Sequence, residues 1–344
     1  MQNRSLGLLS MAFIAAAMAF GQASAPAAKK KTANWTPPKT AWGDPDLQGT
    51  WTGDDSYGVP FQRPENFGNR KFLTDEELAE RAKEVDLLSS SIEAGVRPNA
   101  GYWARQKGVD AAAVPANWVE YARKTSRQTS LVVDPPDGRI PPLTAEARSK
   151  AAAAAALRGR RPESWEDLTM YDRCITRGVT GSIYPAIYGN GTQIVQSPGL
   201  IAIRNEMIHE TRIVPLDGRP HAPANLRTYM GDSRGHWEGN TLVVETTNFI
   251  GGRVSAGAGS PPYSEDLRLV ERFTRTNDKS IQYEVTISDP KTYTAPWTVA
   301  FLITYEPGYR IFEYACHEGN YAMPNRLSAA RAEEKAEAED PANK

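Results

Sequence analysis

The stretch MIHETRIVPLDGRPH, residues 207–221, sets His209 beside Glu210 and carries a second histidine, His221. The chain has four histidines, and all lie in its second half. An imidazole beside a carboxylate suggests an acid–base pair or a metal site. The element that carries them decides between these. The segment reads as a strand, in which successive side chains point to opposite faces. One face then holds Ile201, Ile203, Asn205, Met207, His209, Thr211 and Ile213; the other holds Ala202, Arg204, Glu206, Ile208, Glu210 and Arg212. The first face is largely apolar and is expected to look inward. The second is a ladder of alternating charge and is expected to meet water. On this reading His209 and Glu210 cannot form a local pair. Strand ligands also need a two-residue step, so no metal is expected. What remains is His209, with Asn205 two positions earlier, entering an apolar interior. It is either a hydrogen-bonded core histidine or a general acid or base kept neutral by desolvation.

The other candidates gather around the two cysteines, Cys174 and Cys316. An isolated pair in an exported chain is most simply a disulfide. Such a bond would bring Asp172 and Arg173 of YDRC together with His317 and Glu318 of CHEG, as a salt-bridge network or as a catalytic or ligand-anchoring cluster. His209, Asn205, His317 and Asp172 are the catalytic candidates. Tyr188, beside the turn Gly189-Asn190-Gly191, is a candidate ligand contact, with Arg173, Glu318 and His221. There is no Walker loop, nucleophile elbow or dinucleotide fingerprint, so no cofactor is expected.

These residues need a scaffold. Residues 1–25 have a basic start, an apolar run and small residues, which predicts a secretory signal and, after its removal, no integral membrane segment. Residues 26–45 read as a flexible leader. Residues 46–170 read as a helix- and loop-rich part packing on a barrel. LTDEELAERAKEVDLLSSSI predicts a helix opened by a Thr74/Glu77 capping box, and TAEARSKAAAAAALR predicts a second. Residues 171–322 hold about eight strands joined by hairpin turns. Ile281, Tyr283, Val285 and Ile287 alternate with polar residues, the mark of a strand buried on one side. Residues 323–344 read as a charged helix and tail. The expected fold is mainly β with helical decorations, an antiparallel meander closing into a lipocalin-like barrel. Gly49-Thr50-Trp51 resembles the glycine-x-tryptophan that opens such barrels.

A net charge of −1 excludes a strongly basic surface, so nucleic acid is not an expected partner. The segments DRCITRG, IYGNGTQIVQSPG, MIHETRIVPLDGRPH, GHWEGNTLVVETTNF and EYACHEGN together resemble a family of exported bacterial proteins of unsettled function. The resemblance implies a periplasmic or secreted location and carries no catalytic residue. Two functions are compatible with these residues. One is an exported, metal-independent enzyme (lyase, hydratase, isomerase or hydrolase) acting on a small, partly apolar molecule, with His209 as acid or base and Asn205 or Tyr188 orienting the substrate. The other is a binding protein in which His209 supplies only a hydrogen bond.

Overall fold

The computed structural model describes residues 35–93, 125–158, 160–186, 188–251 and 262–339. The expected signal, the first part of the leader and the last five residues, 340–344, lie outside them. The strands are β1 (Gly49–Thr52), β2 (Val132–Asp134), β3 (Thr192–Ser197), β4 (Leu200–Asn205), β5 (Thr211–Pro215), β6 (Asp232–Glu238), β7 (Thr241–Thr247), β8 (Arg268–Asn277), β9 (Ser280–Ser288) and β10 (Trp297–Tyr305). Three α-helices accompany them: α1 (Asp75–Glu93), α2 (Ala145–Arg158) and α3 (Ala322–Glu339).

All the strands join one antiparallel, nearly closed barrel, in the order β5-β4-β3-β1-β10-β9-β8-β7-β6, with β2 also paired to β10. Hairpin turns explain the runs β3-β4-β5 and β6 to β10. The insertion of β1 between β3 and β10 is a long-range event: Trp51 pairs with Tyr305 on one side and Thr192 on the other. β1 and β2 thus join the barrel from the helix- and loop-rich residues 46–170, β1 carrying the Gly49-Thr50-Trp51 that resembles the opening of such barrels. The two ends of the strand order meet where β5 runs into the loop before β6. There Gly235 lies against Val214 and Leu216, and a Cβ on it would stand 2.8 and 2.6 Å from their side chains.

The interior follows the alternation read from β9. Ile281, Tyr283, Val285 and Ile287 are buried, facing Trp51, Ile194, Ile201, Ile203, Phe273, Trp297 and Phe301. The interior also holds charge. Arg212 on β5 and Glu271 on β8 form a two-pronged ion pair, Nη1 on Oε2 and Nη2 on Oε1 at 2.9 Å. The Tyr283 hydroxyl donates to Glu271 Oε1 at 3.1 Å. Burial, then the Glu271 charge, pushes the Tyr283 phenol well up.

Helix α1 opens with the expected capping box: the Glu77 N–H donates to Thr74 Oγ1 at 3.2 Å and the Thr74 N–H to Glu77 Oε2 at 2.8 Å. Residues 36–45 form a turn, closed by Thr40 N–H on the Asp44 carbonyl at 2.9 Å. Gln196 of β3 pins it, donating to the Pro45 carbonyl at 3.1 Å and accepting from Leu47 N–H at 2.6 Å. Helix α3 is mostly exposed, with Ala330 buried and Met323 and Leu327 half-buried, and is held by ion pairs from Arg161 to Glu333 and Glu337. No helix among the described residues is long and apolar enough to cross a membrane.

A candidate acid–base site at one end of the barrel

The segment expected to be one strand from 201 to 213 is two strands joined by a tight turn. β4 and β5 pair antiparallel, Ile203 opposite Arg212 and Arg204 opposite Thr211, and Asn205 N–H donates to the Glu210 carbonyl at 2.9 Å. Within the turn Ile208 has φ 60° and His209 φ 46°. This left-handed backbone costs an L-residue about 1–2 kcal/mol, and a β-branched residue adopts it rarely. Several contacts impose it. Met207 and Ile208 are buried. Glu206 is buried too, accepting from Tyr309 Oη at 2.6 and 2.7 Å and from Gly191 N–H at 3.2 Å.

The turn shifts the phase of the alternation. Before it, Ile201, Ile203 and Asn205 are buried; after it, Arg212 and Val214 are buried while Thr211 and Ile213 are exposed. The expected facing of His209 and Glu210 is therefore reversed. His209 is exposed on the outer side, its Nδ1 3.1 Å from the Tyr314 carbonyl oxygen. Its expected place in an interior hollow does not hold. His209→Gly is expected to change stability by less than about 1 kcal/mol, because relief of the left-handed strain offsets one exposed hydrogen bond. Urea denaturation measures this.

Glu210 turns inward instead. Thr176 Oγ1 donates to Glu210 Oε2 at 2.8 Å. The same hydroxyl accepts from Gly178 N–H at 2.8 Å, which leaves its proton for the carboxylate. The Arg177 N–H also donates to this carboxylate. Burial pushes the Glu210 carboxyl up, against the lowering effect of these bonds and of Arg212. Tyr263 is nearby: burial, then the Glu210 charge, raises its phenol. From Gly178 onward the same segment lines a cavity, with Val179, Tyr184, Phe249, Tyr263 and Ile287 among its walls. The cavity measures about 30 Å³ and is open on one side rather than sealed.

The remaining candidates fall as follows. Cys174 and Cys316 are joined in a disulfide, Cα to Cα 5.5 Å. Asp172 lies beside it but binds Thr169 Oγ1 at 2.8 Å and Arg326 at 3.0 Å. The Arg173 guanidinium sits 4.4 Å from the centre of the Trp165 ring. His317 and Glu318 are exposed, so the expected four-residue cluster does not assemble. Asn205 is buried as expected, and its Oδ1 accepts from Thr192 Oγ1 across the β3–β4 pair at 3.2 Å. Tyr188 lies with Tyr171, hydroxyl to hydroxyl 3.4 Å, away from the cavity walls. Burial, then Tyr188, raises the Tyr171 phenol. His221 is half-buried in the loop between β5 and β6, against Asp232. Among the described residues no group of three or more His, Cys, Asp or Glu is placed to hold a metal ion.

The sequence reading missed Glu210, Thr176 and Tyr263. No glycine or proline marks the 206–210 turn, so nothing in the local pattern separates the two strands. No family model, curated protein or solved structure matches the chain.

Proposed function

We propose that this chain is an exported enzyme that performs acid–base chemistry, without metal or nucleotide, on a small and partly apolar organic molecule. Glu210 is its titrating group. The reading is carried by one observation: a carboxyl with a raised pKa follows a strained turn and is held by the Thr176 hydroxyl and the Arg177 N–H, on the segment that lines an apolar cavity from Gly178 onward. Raised carboxyl pKa values in clefts go with proton transfer, and left-handed non-glycine residues concentrate at functional sites. Glu210 protonates a carbonyl or leaving oxygen, or removes a proton beside a carbonyl. Tyr263, Phe249 and Ile287 line the cavity; in this reading the Tyr263 hydroxyl hydrogen-bonds the same oxygen, and Phe249 and Ile287 take the apolar part. Elimination, hydration, isomerisation and hydrolysis all fit. The disulfide supports a periplasmic or secreted location, as does the resemblance to exported bacterial proteins.

A panel of small cyclic ketones, enones and lactones tests the reading. The wild type is expected to turn over at least one member, and Glu210→Gln to lower that rate by about 10²–10⁴-fold. Glu210→Gln is also expected to be more stable than wild type, with a gap that widens as pH rises. A raised folded-state pKa means the folded form holds its proton longer, so ionising Glu210 costs stability on the alkaline side. Binding without turnover, unchanged in the variant, identifies a small-molecule carrier instead. That second reading is favoured by the mostly apolar cavity walls.

A further inference from the structure

We propose that Tyr184 is a ligand contact at the core side of the cavity, where its hydroxyl binds an oxygen carried at the end of the ligand that enters first. As a ligand contact this stands by itself. As a contact to the substrate of Glu210 it rests on the reading above, and it adds that the substrate carries an oxygen for Tyr184 besides the one on which Glu210 acts. Three observations meet at this residue. Tyr184 is part of the cavity wall. Its side chain is buried, with the residue 4% exposed. Its Oη makes no hydrogen bond to any described residue. Buried phenol hydroxyls are usually bonded, because an unbonded one has given up water for nothing. A buried donor without a partner, set against a cavity, is a place for a partner that comes from outside.

The fold holds the hydroxyl in that position. Residues 178–184 run through turns in which Ser182 N–H donates to the Gly178 carbonyl at 3.1 Å and Tyr184 N–H to the Thr180 carbonyl at 3.0 Å. The Tyr184 ring is clamped edge-on by Phe61 and Phe301, with ring centres 5.4 and 6.2 Å away. The interior behind it offers no free acceptor. Glu271 is felt there as a charge, but its oxygens already serve Arg212 and Tyr283. Burial raises the Tyr184 phenol, against the lowering effect of the Thr180 side chain, which stands near it without bonding geometry. Among the wall residues only Thr180, Tyr184 and Tyr263 carry a polar side chain, and of these only Tyr184 is fully buried. Val179, Phe249, Leu269 and Ile287 supply apolar walls. A ligand oxygen that enters loses its water and finds the Tyr184 hydroxyl; an apolar group leaves that hydroxyl unbonded. The site therefore selects molecules with a ketone, aldehyde or hydroxyl at the leading end. A volume of about 30 Å³ admits such a group, and the open side leaves the rest of the molecule toward exposed Pro262 and half-buried Tyr263.

Cyclohexanone and methylenecyclohexane, which differ by an oxygen in place of a CH₂ group, test this by NMR titration of the full chain. The ratio of their Kd values is the quantity read, because the difference in their hydration cancels between wild type and variant. Tyr184→Phe is expected to shift that ratio about tenfold against the ketone, the worth of one neutral hydrogen bond at a buried site. The hydrocarbon is expected to bind both proteins alike, which shows that the cavity survives the change. Without ligand, Tyr184→Phe is expected to unfold at the same urea concentration as wild type or a higher one, since no hydrogen bond within the protein is lost. Wild-type protein gives a reading that needs no variant: nuclear Overhauser contacts from the methylenes beside the ketone carbonyl to the Tyr184 ring. An unchanged ratio, absence of those contacts, a wild type that binds neither molecule, or a lowered unfolding midpoint in Tyr184→Phe overturns the assignment. A Tyr184-dependent ratio in a chain that turns over nothing on the panel ends the enzyme reading and keeps the contact. Turnover that needs Glu210, with an unchanged ratio, does the reverse.

Discussion

Arg212→Met is expected to destabilise the protein by about 3–5 kcal/mol, among the largest losses any single substitution here will cause. Arg212 is buried and Glu271 is fully buried, and their two-pronged pair reaches across the interior from β5 to β8. Removing the guanidinium strands a carboxylate in a medium that solvates it poorly. Tyr283 Oη remains as one donor to it, and one neutral hydrogen bond does not replace an ion pair. β5 is also an end of the strand order, so the pair ties down the edge on which Glu210 sits. The triple change Arg212→Met, Glu271→Met, Tyr283→Phe is expected to recover most of the loss, because no polar group is then left without a partner. Guanidinium unfolding midpoints with an unchanged slope give both numbers. A single variant within about 1 kcal/mol of wild type would mean that the charges are solvated rather than paired inside the barrel.

Cys174→Ala with Cys316→Ala is expected to cost about 5 kcal/mol, the chain-entropy value for so long a loop. The bond spans 142 residues, from the segment carrying Thr176 to the strap that follows β10. The folded form should survive its loss locally. Tyr309 still binds Glu206, and Asn320 Nδ2 still donates to the Asp172 carbonyl at 3.0 Å. The effect is therefore expected as a lower unfolding midpoint rather than a changed barrel. Wild-type protein unfolded with and without reductant makes the same comparison without mutation. Coincident curves would show that the unfolded chain gains no freedom from breaking the bond.

Much of the architecture was legible because it depends on short-range rules. The period-two pattern of β9, the turn residues between β3 and β4, β6 and β7, and β8 and β9, the Thr74/Glu77 cap and the cysteine pair each state a local preference, and each is met. The mainly antiparallel β-barrel follows from summing them. The insertion of β1 and the attachment of β2 were not legible, because long-range pairing leaves no periodic trace in the strand that moves.

The site was misread for one physical reason. An alternation argument holds only while the backbone stays extended, and a hairpin turn made without glycine or proline breaks it silently. Ile208 and His209 accept a costly left-handed conformation because buried Met207, Glu206 under Tyr309, and the β4–β5 pairing all require it. Those partners are remote along the chain, so no window of sequence contains the reason. From its sequence alone the protein was determined to be a barrel with a cross-linked strap and a histidine-glutamate step on its wall. Only the tertiary structure decided which of those two side chains looks in, because the energy that bends the turn comes from contacts that exist only after folding.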